Sequence, residues 1–229
     1  MKYSGYVSLI AFASMFAFQP LVNAQTPALR QGVSVQMAET SNAAPFPAAD
    51  GADAWIVAVT ADGHLYFGVK LVTGDELVQE MKATPRNRAA RLYIKADAHA
   101  PFDAVKQALH AAHEVLFETA VLLTDQPEHS SAAGTASPQG LEVHLGLPSA
   151  PATVVQLHNS ARPTPALKVN DQEVPWPALQ STLEQASQQQ KQKLVVVEAD
   201  DNLPFTQVVK VIDMSRSIGA KVAVSLTNL

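Results

Sequence analysis

The chain has 229 residues, 47% of them hydrophobic and 16% charged, with a net charge of −5 and no cysteine. That is enough apolar material for one medium domain or two small ones. The mild acidity argues against a nucleic-acid footprint, which needs a clustered basic face, and the lack of cysteine excludes disulfides, thiolate metal sites and cysteine nucleophiles.

The opening residues read MKYSGYVSLIAFASMFAFQPLVNAQ. Lys2 supplies a positive start, Val7 to Phe18 an apolar stretch of signal-peptide length, Pro20 a helix breaker and Ala24 the small residue before a cleavage site. Residues 1–24 are expected to be a secretory signal. The rival is an uncleaved N-terminal anchor, since a span needs about 20 predominantly apolar residues and Gly5 to Val22 nearly supplies them. Either way the remainder is expected in the periplasm, free or held to the inner membrane. Residues 38–52, rich in Ala, Pro, Ser and Asn, read as a loose segment.

Trp55 to Thr60 and HLYF (64–67) read as strands around an ADG turn (61–63), and Thr73 as the N-cap of a helix over GDELVQEM. Leu92-Tyr93-Ile94 is a short apolar strand closed by Asp97. Pro101 then sits near the first helical position, where its missing N–H costs nothing. Phe102, Val105, Leu109, Ala112 and Leu116 fall on one helical face, and Ala120 to Leu123 is a strand. DQPEHSSAAGTASPQ (125–139) has the composition of a flexible linker. Beyond it come strands at Thr153 to Leu157 and within LKVNDQEV (167–174). A helix follows from about Pro177 to Gln190, with QASQQQKQ (185–192) as its exposed end. Leu194 to Val197 is a strand, Phe205, Val208, Ile212 and Ser215 share a helical face, Gly219 suits the C′ position, and Val222 to Leu226 is a strand.

Two of these stretches are nearly the same phrase. RLYIKADAHAPFDAVKQALHAAHEVLFETAVLLT (91–124) aligns without a gap with LVVVEADDNLPFTQVVKVIDMSRSIGAKVAVSLT (194–227). Ala96-Asp97 matches Ala199-Asp200, Pro101-Phe102 matches Pro204-Phe205, and Leu123-Thr124 matches Leu226-Thr227. This predicts a tandem repeat, residues 32–124 and 140–229, joined by the linker 125–139. Each unit reads β-β-α-β-α-β, an α+β fold with two helices packed on one face of a small mixed sheet.

The second unit resembles the periplasmic domain of the ExbD/TolR biopolymer-transport family, through GLEVHLGLPSA (140–150), LKVND (167–171) and EADDNLPFTQVVKVIDMSRSIGAKVAVSLT (198–227). The first unit is similar over GVSVQMAETSNA (32–43), VTADGHLYF (59–67) and KADAHAPFDAV (95–105), and departs later, with Leu116 at the family's glycine and Glu118 at its lysine. The resemblance covers nearly everything after residue 31. It implies Asp97, Pro101, Phe102, Asp200, Pro204, Phe205, Asp213, Arg216 and Gly219 as structural or interface positions. It implies partners of the ExbB/TolQ or TonB/TolA type, contact with peptidoglycan, and pairing of units as an intrachain pseudo-dimer or a homodimer. The family's proton step needs an ionisable residue inside the membrane, and residues 1–24 contain no Asp or Glu. The expectation is therefore a non-enzymatic accessory or adaptor subunit that does not itself conduct protons.

Other readings of the same residues are weaker. Asp97 and Asp200 suggest a carboxylate site, but Asp before a helix is a default local cap. His110, His113 and Glu114 lie on one helix flank, yet a metal needs three or four convergent ligands, and the second copy has Asp213 and Arg216 at the matching positions. There is no G-x-S-x-G elbow and no glycine-rich phosphate loop, so no enzyme and no cofactor are expected. Trp176 is read as a core lid or a partner contact. The alternatives in other classes are a peptidoglycan- or polymer-binding module independent of proton-driven machinery, and a metal-handling protein that uses the histidines.

Overall fold

The computed structural model describes residues 33–85, 90–126, 137–146, 150–188 and 190–226. The leader or anchor expected over 1–24 lies outside them. Among the described residues no helix is long and apolar enough to cross a membrane.

After a two-residue strand β1 (Ala44–Pro45) and a 3-10 turn at Pro47–Asp50, the first half runs β2 (Trp55–Val59), β3 (Leu65–Phe67), β4 (Lys70–Val72), α1 (Gly74–Ala83), β5 (Leu92–Ala96), α2 (Phe102–Glu114) and β6 (Thr119–Thr124). The second half runs β7 (Gln139–His144), β8 (Thr153–His158), β9 (Ala166–Val169), β10 (Gln172–Glu173), α3 (Leu179–Ser187), β11 (Leu194–Ala199), α4 (Phe205–Ser217) and β12 (Lys221–Val224). The α+β class, the mixed sheet and the four helices agree with the sequence. The two small sheets do not: all the strands belong to one sheet, ordered β10-β9-β8-β11-β12-β7-β6-β5-β2-β3-β4, with β1 against β7. The order β6-β5-β2-β3-β4 in the first half is met again as β12-β11-β8-β9-β10 in the second. Strand β7 joins them, antiparallel to β6 along its whole length and parallel to β12 at His144.

Each half also has one strand more than expected on its outer side, because a tight hairpin closes there. Gly68 (φ 62°) opens the turn from Phe67 to Lys70, and Asn170 and Asp171 (φ 47° and 66°) fill the turn from Val169 to Gln172. The latter is the two-residue turn that needs φ > 0 at both central positions, which Asn and Asp tolerate.

All four helices lie on one face of the sheet and share a single core with Val57, Ile94, Leu122, Val143, Val155 and Val197. Alternate residues of the same strands in the first half, Ile56, Tyr93, Val121 and Leu123, face the other way and are covered by Phe46 and Ala49. Helix α1 starts on a capping box in which Thr73 Oγ1 accepts from the Glu76 amide and Glu76 Oε2 accepts from the Thr73 amide at 2.8 Å. The expected apolar stripes are buried at Phe102, Val105, Leu109 and Ala112 and at Phe205, Val208, Ile212 and Ser215. Leu116 is the exception. It lies beyond the end of α2, is 82% exposed and has φ 65°. At the matching place after α4 stands Gly219, with φ 75°.

Candidate functional site

The two strand-end loops, DAHAPF (97–102) and DDNLPF (200–205), meet at the middle of the molecule. Each is built in the same way. The Asp97 amide donates to Val59 O at 2.8 Å and the Asp200 amide to Leu157 O at 3.0 Å, extending the parallel ladders by one residue. The Ala100 amide then donates to Asp97 O and the Leu203 amide to Asp200 O, which turns each chain. Pro101 and Pro204 occupy the N-cap positions of α2 and α4, with extended backbone and no side-chain cap.

A helix that begins without a capping side chain leaves its first N–H groups to find other acceptors. Here each loop supplies them to the other half. The Phe102 amide donates to Leu203 O at 2.9 Å and the Phe205 amide to Ala100 O at 2.9 Å. The Asp103 amide donates to Asp201 O at 2.8 Å and the Thr206 amide to Ala98 O at 2.9 Å. Pro101 and Pro204 face one another as an antiparallel bridge. The bonds are reciprocal, residue for residue, at the offset that aligns the two sequence copies. Beneath them Phe102 and Phe205 are buried to within 1%, each contributing about 1.5–3 kcal/mol of apolar burial.

The side chains around this symmetric backbone are not symmetric. Lys106 on α2 is almost fully buried, and its ammonium pairs with the Asp201 carboxylate of the other half. It also lies 5.9 Å from the centre of the Phe102 ring. The residues at the matching positions are Val209 and Ala98. In the first half Asp97 accepts from the backbone amides of His99 and Gln36, both at 3.0 Å, and its carboxylate lies 3.2 Å from His99 Nδ1. Burial pushes its carboxyl upward, but the amide donors of His99 and Gln36, with the His99 ring, hold it below the ordinary value. In the second half Asp200 instead accepts from the Asn159 amide at 2.8 Å, with His158 Nδ1 at 3.2 Å.

The remaining motif residues lie apart from this centre. Asp213 on α4 accepts from the amides of Ser41 and Asn42 and from the Asn42 side chain, tying the entry segment of the first half to the second. Arg216 reaches the Ala220 carbonyl at 3.5 Å, and Gly219 follows α4 as the C′ residue. Trp176 is half-buried against the core, donates through Nε1 to Pro165 O at 2.9 Å and carries Lys210 4.9 Å above its ring. Arg91, just before β5, pairs with Glu142 of β7 at 2.6 Å, reaching across β6. Among the described residues no group of three or more His, Asp or Glu side chains could hold a metal ion. The pair Lys106 and Asp201 escaped the sequence reading, although aligning the two copies carries a signal. A cation and an anion each replace an apolar residue, on opposite copies.

Fold and junction together define an α+β domain whose central loops join one half of the chain to the other. Residues 115–228 match the family model described as Biopolymer transport protein ExbD/TolR, and the C-terminal half of the chain belongs to that family. The family is envelope-associated, transport-related and non-enzymatic, and its members work with ExbB/TolQ and TonB/TolA. Neither a curated protein nor a solved structure matches the chain.

Proposed function

We propose that this chain is a fused pair of ExbD/TolR-type periplasmic domains, an intrachain pseudo-dimer, serving as an accessory or adaptor subunit of a TonB/Tol-type energy-transduction system. The observation that carries this reading is the reciprocal set of four backbone bonds between the loops 97–103 and 200–206. Reciprocity is what a two-fold interface requires. Covalent fusion would hold the partners at an effective concentration of about millimolar. The membrane proton step would then fall to a partner subunit. The junction residues Asp97, Pro101, Phe102, Asp200, Pro204 and Phe205 would serve pairing rather than chemistry.

The test is in-envelope crosslinking of the tagged chain followed by mass spectrometry. Recovery of an ExbB/TolQ-type or TonB/TolA-type protein is the expected result. Recovery of wall material alone would overturn the energy-transduction role and favour a polymer-binding module.

A further inference from the structure

We propose that residues 36–42 act as a releasable clasp on the joint between the two halves, so that drawing this segment away loosens the pairing of the loops 97–103 and 200–206.

One end of the segment is held by the junction loop of the first half. The Gln36 amide donates to Asp97 Oδ2 at 3.0 Å, and Gln36 O accepts from the Ala98 amide at 2.8 Å. The middle lies beside the end of β6. The Asp125 amide donates to Ala38 O at 3.0 Å, and the Thr40 amide donates to Asp125 O at 2.9 Å. The Thr40 and Thr124 hydroxyls meet at 2.8 Å, and Ala38 and Thr40 are buried. The far end is held by the second half. Asp213 on α4 accepts from the Asn42 amide at 2.8 Å, and from the Ser41 amide and Asn42 Nδ2, both at 3.2 Å.

These bonds close a ring around the junction. Ala98 takes part in two of its links. Its amide holds Gln36, and its carbonyl accepts from the Thr206 amide of the other half at 2.9 Å. From Thr206 about two turns of α4 lead to Asp213, and Asp213 leads back to the segment through Asn42. The segment therefore runs from the loop of one half to the helix of the other. A motion that parts Ala98 from Thr206 must also stretch the segment or break its hold on Asp213. Conversely, when the segment leaves, Ala98 loses the bond on its amide side, and the bond that its carbonyl makes across the junction loses a neighbour that fixes its direction.

The ring has a weak link. Ala38 and Thr40 in the middle are buried, whereas Ser41 and Asn42 are exposed and are gripped by one carboxylate. Exposed backbone bonds of this kind open first, ahead of the sheet. A partner that takes up residues 41–42, or tension along the segment, would act on the joint through Asp213.

The test is residue-resolved amide exchange by NMR on the full chain and on Asp213→Ala. Alanine favours helix, so α4 keeps its form while the clasp loses its grip. The Thr40 and Asp125 amides should exchange about tenfold faster in the variant, and the junction amides of Phe102 and Thr206 should speed up with them. Val57 and Val195, inside the sheet, report global unfolding and should change least. Asn42→Ala should act in the same direction and more weakly. Coupling is reciprocal, so Asp201→Ala, which loosens the junction, should speed the Thr40 amide relative to Val57 and Val195. An unchanged Thr40 amide in Asp213→Ala would overturn the proposal, as would a faster Thr40 amide with the junction amides unmoved. Equal acceleration at every amide, sheet included, would overturn it too, as would a Thr40 amide indifferent to Asp201→Ala. None of these results depends on whether a Ton- or Tol-type partner is recovered from the envelope.

Discussion

Removing Asp201 should harm this protein more than removing the lysine it neutralises. Lys106 has a side chain only 4% exposed, whereas that of Asp201 is 58% exposed. Asp201→Ala leaves an ammonium buried without its carboxylate. Stranding a charge in a fully buried pair costs about 3–5 kcal/mol. Water can reach the Asp201 side of this one, so about 2 kcal/mol is expected, or a fall in Tm of about 4–8 °C for a chain of this size. Lys106→Met keeps the stem and most of the volume and removes the buried charge, while Asp201 is left free to hydrate. Its effect should stay within about 1 kcal/mol of zero. Asp201→Ala added to Lys106→Met should then cost almost nothing, and the double-mutant cycle would return the difference as coupling. Urea unfolding of the four proteins, with unchanged m-values, measures all of this. A neutral Asp201→Ala, or a Lys106→Met that costs more than Asp201→Ala, would refute the assignment of the buried ammonium to this junction.

Leu116→Gly should stabilise by about 1 kcal/mol, because Leu116 holds φ 65° with its side chain 82% exposed and glycine carries no Cβ penalty there; a lower Tm would contradict this. Gly140→Ala should destabilise by about 1–3 kcal/mol, since its Cβ would lie 2.5 Å from Val121 Cγ1 and 2.9 Å from Leu122 O in the β6–β7 seam; thermal melting decides. Asp97 has a folded-state carboxyl held below its ordinary value of 3.8. Its stabilising contribution is thus fully present above that value and lost as pH falls through the lower, folded one. The stability gap between the parent and Asp97→Asn should therefore be constant near neutrality and shrink only in acid below about pH 4; a gap that closes well above pH 4 would contradict this.

What the sequence made legible was whatever is decided within a few residues. Apolar period, the Thr73 cap, the Asp-to-Pro-Phe punctuation and the C′ glycine each have a local cause, and each element they predict is present. What escaped depends on pairing at a distance. Strands β4 and β10 are three and two residues long, too short for a period-2 signal, and exist because a tight turn folds them onto a neighbour. In β7, Leu141 and Val143 alternate with Glu142 and His144 as a half-buried strand should, but nothing local says that its partner is β6 of the other half. Leu116 continues the helical spacing of α2, yet the backbone leaves the helix at Glu114, and periodicity cannot see a change in the sign of φ.

Under the proposed fusion, the junction accounts for the differences between the two halves. Its four cross-loop bonds run between backbone amides and carbonyls, so side chains there are free to change while the pairing persists. In two separate identical chains a substitution would appear on both sides of the two-fold at once. A lysine at the Val209 position and an aspartate at the Ala98 position would then have to be accommodated twice in one buried space. Fusion removes that constraint. On this reading each departure of the first half, Lys106 for Val209, Lys95 for Glu198, Leu116 for Gly219, is a change that only one half had to tolerate. The half that carries Gly219 and Lys221 is the half that the family model matches, over residues 115–228.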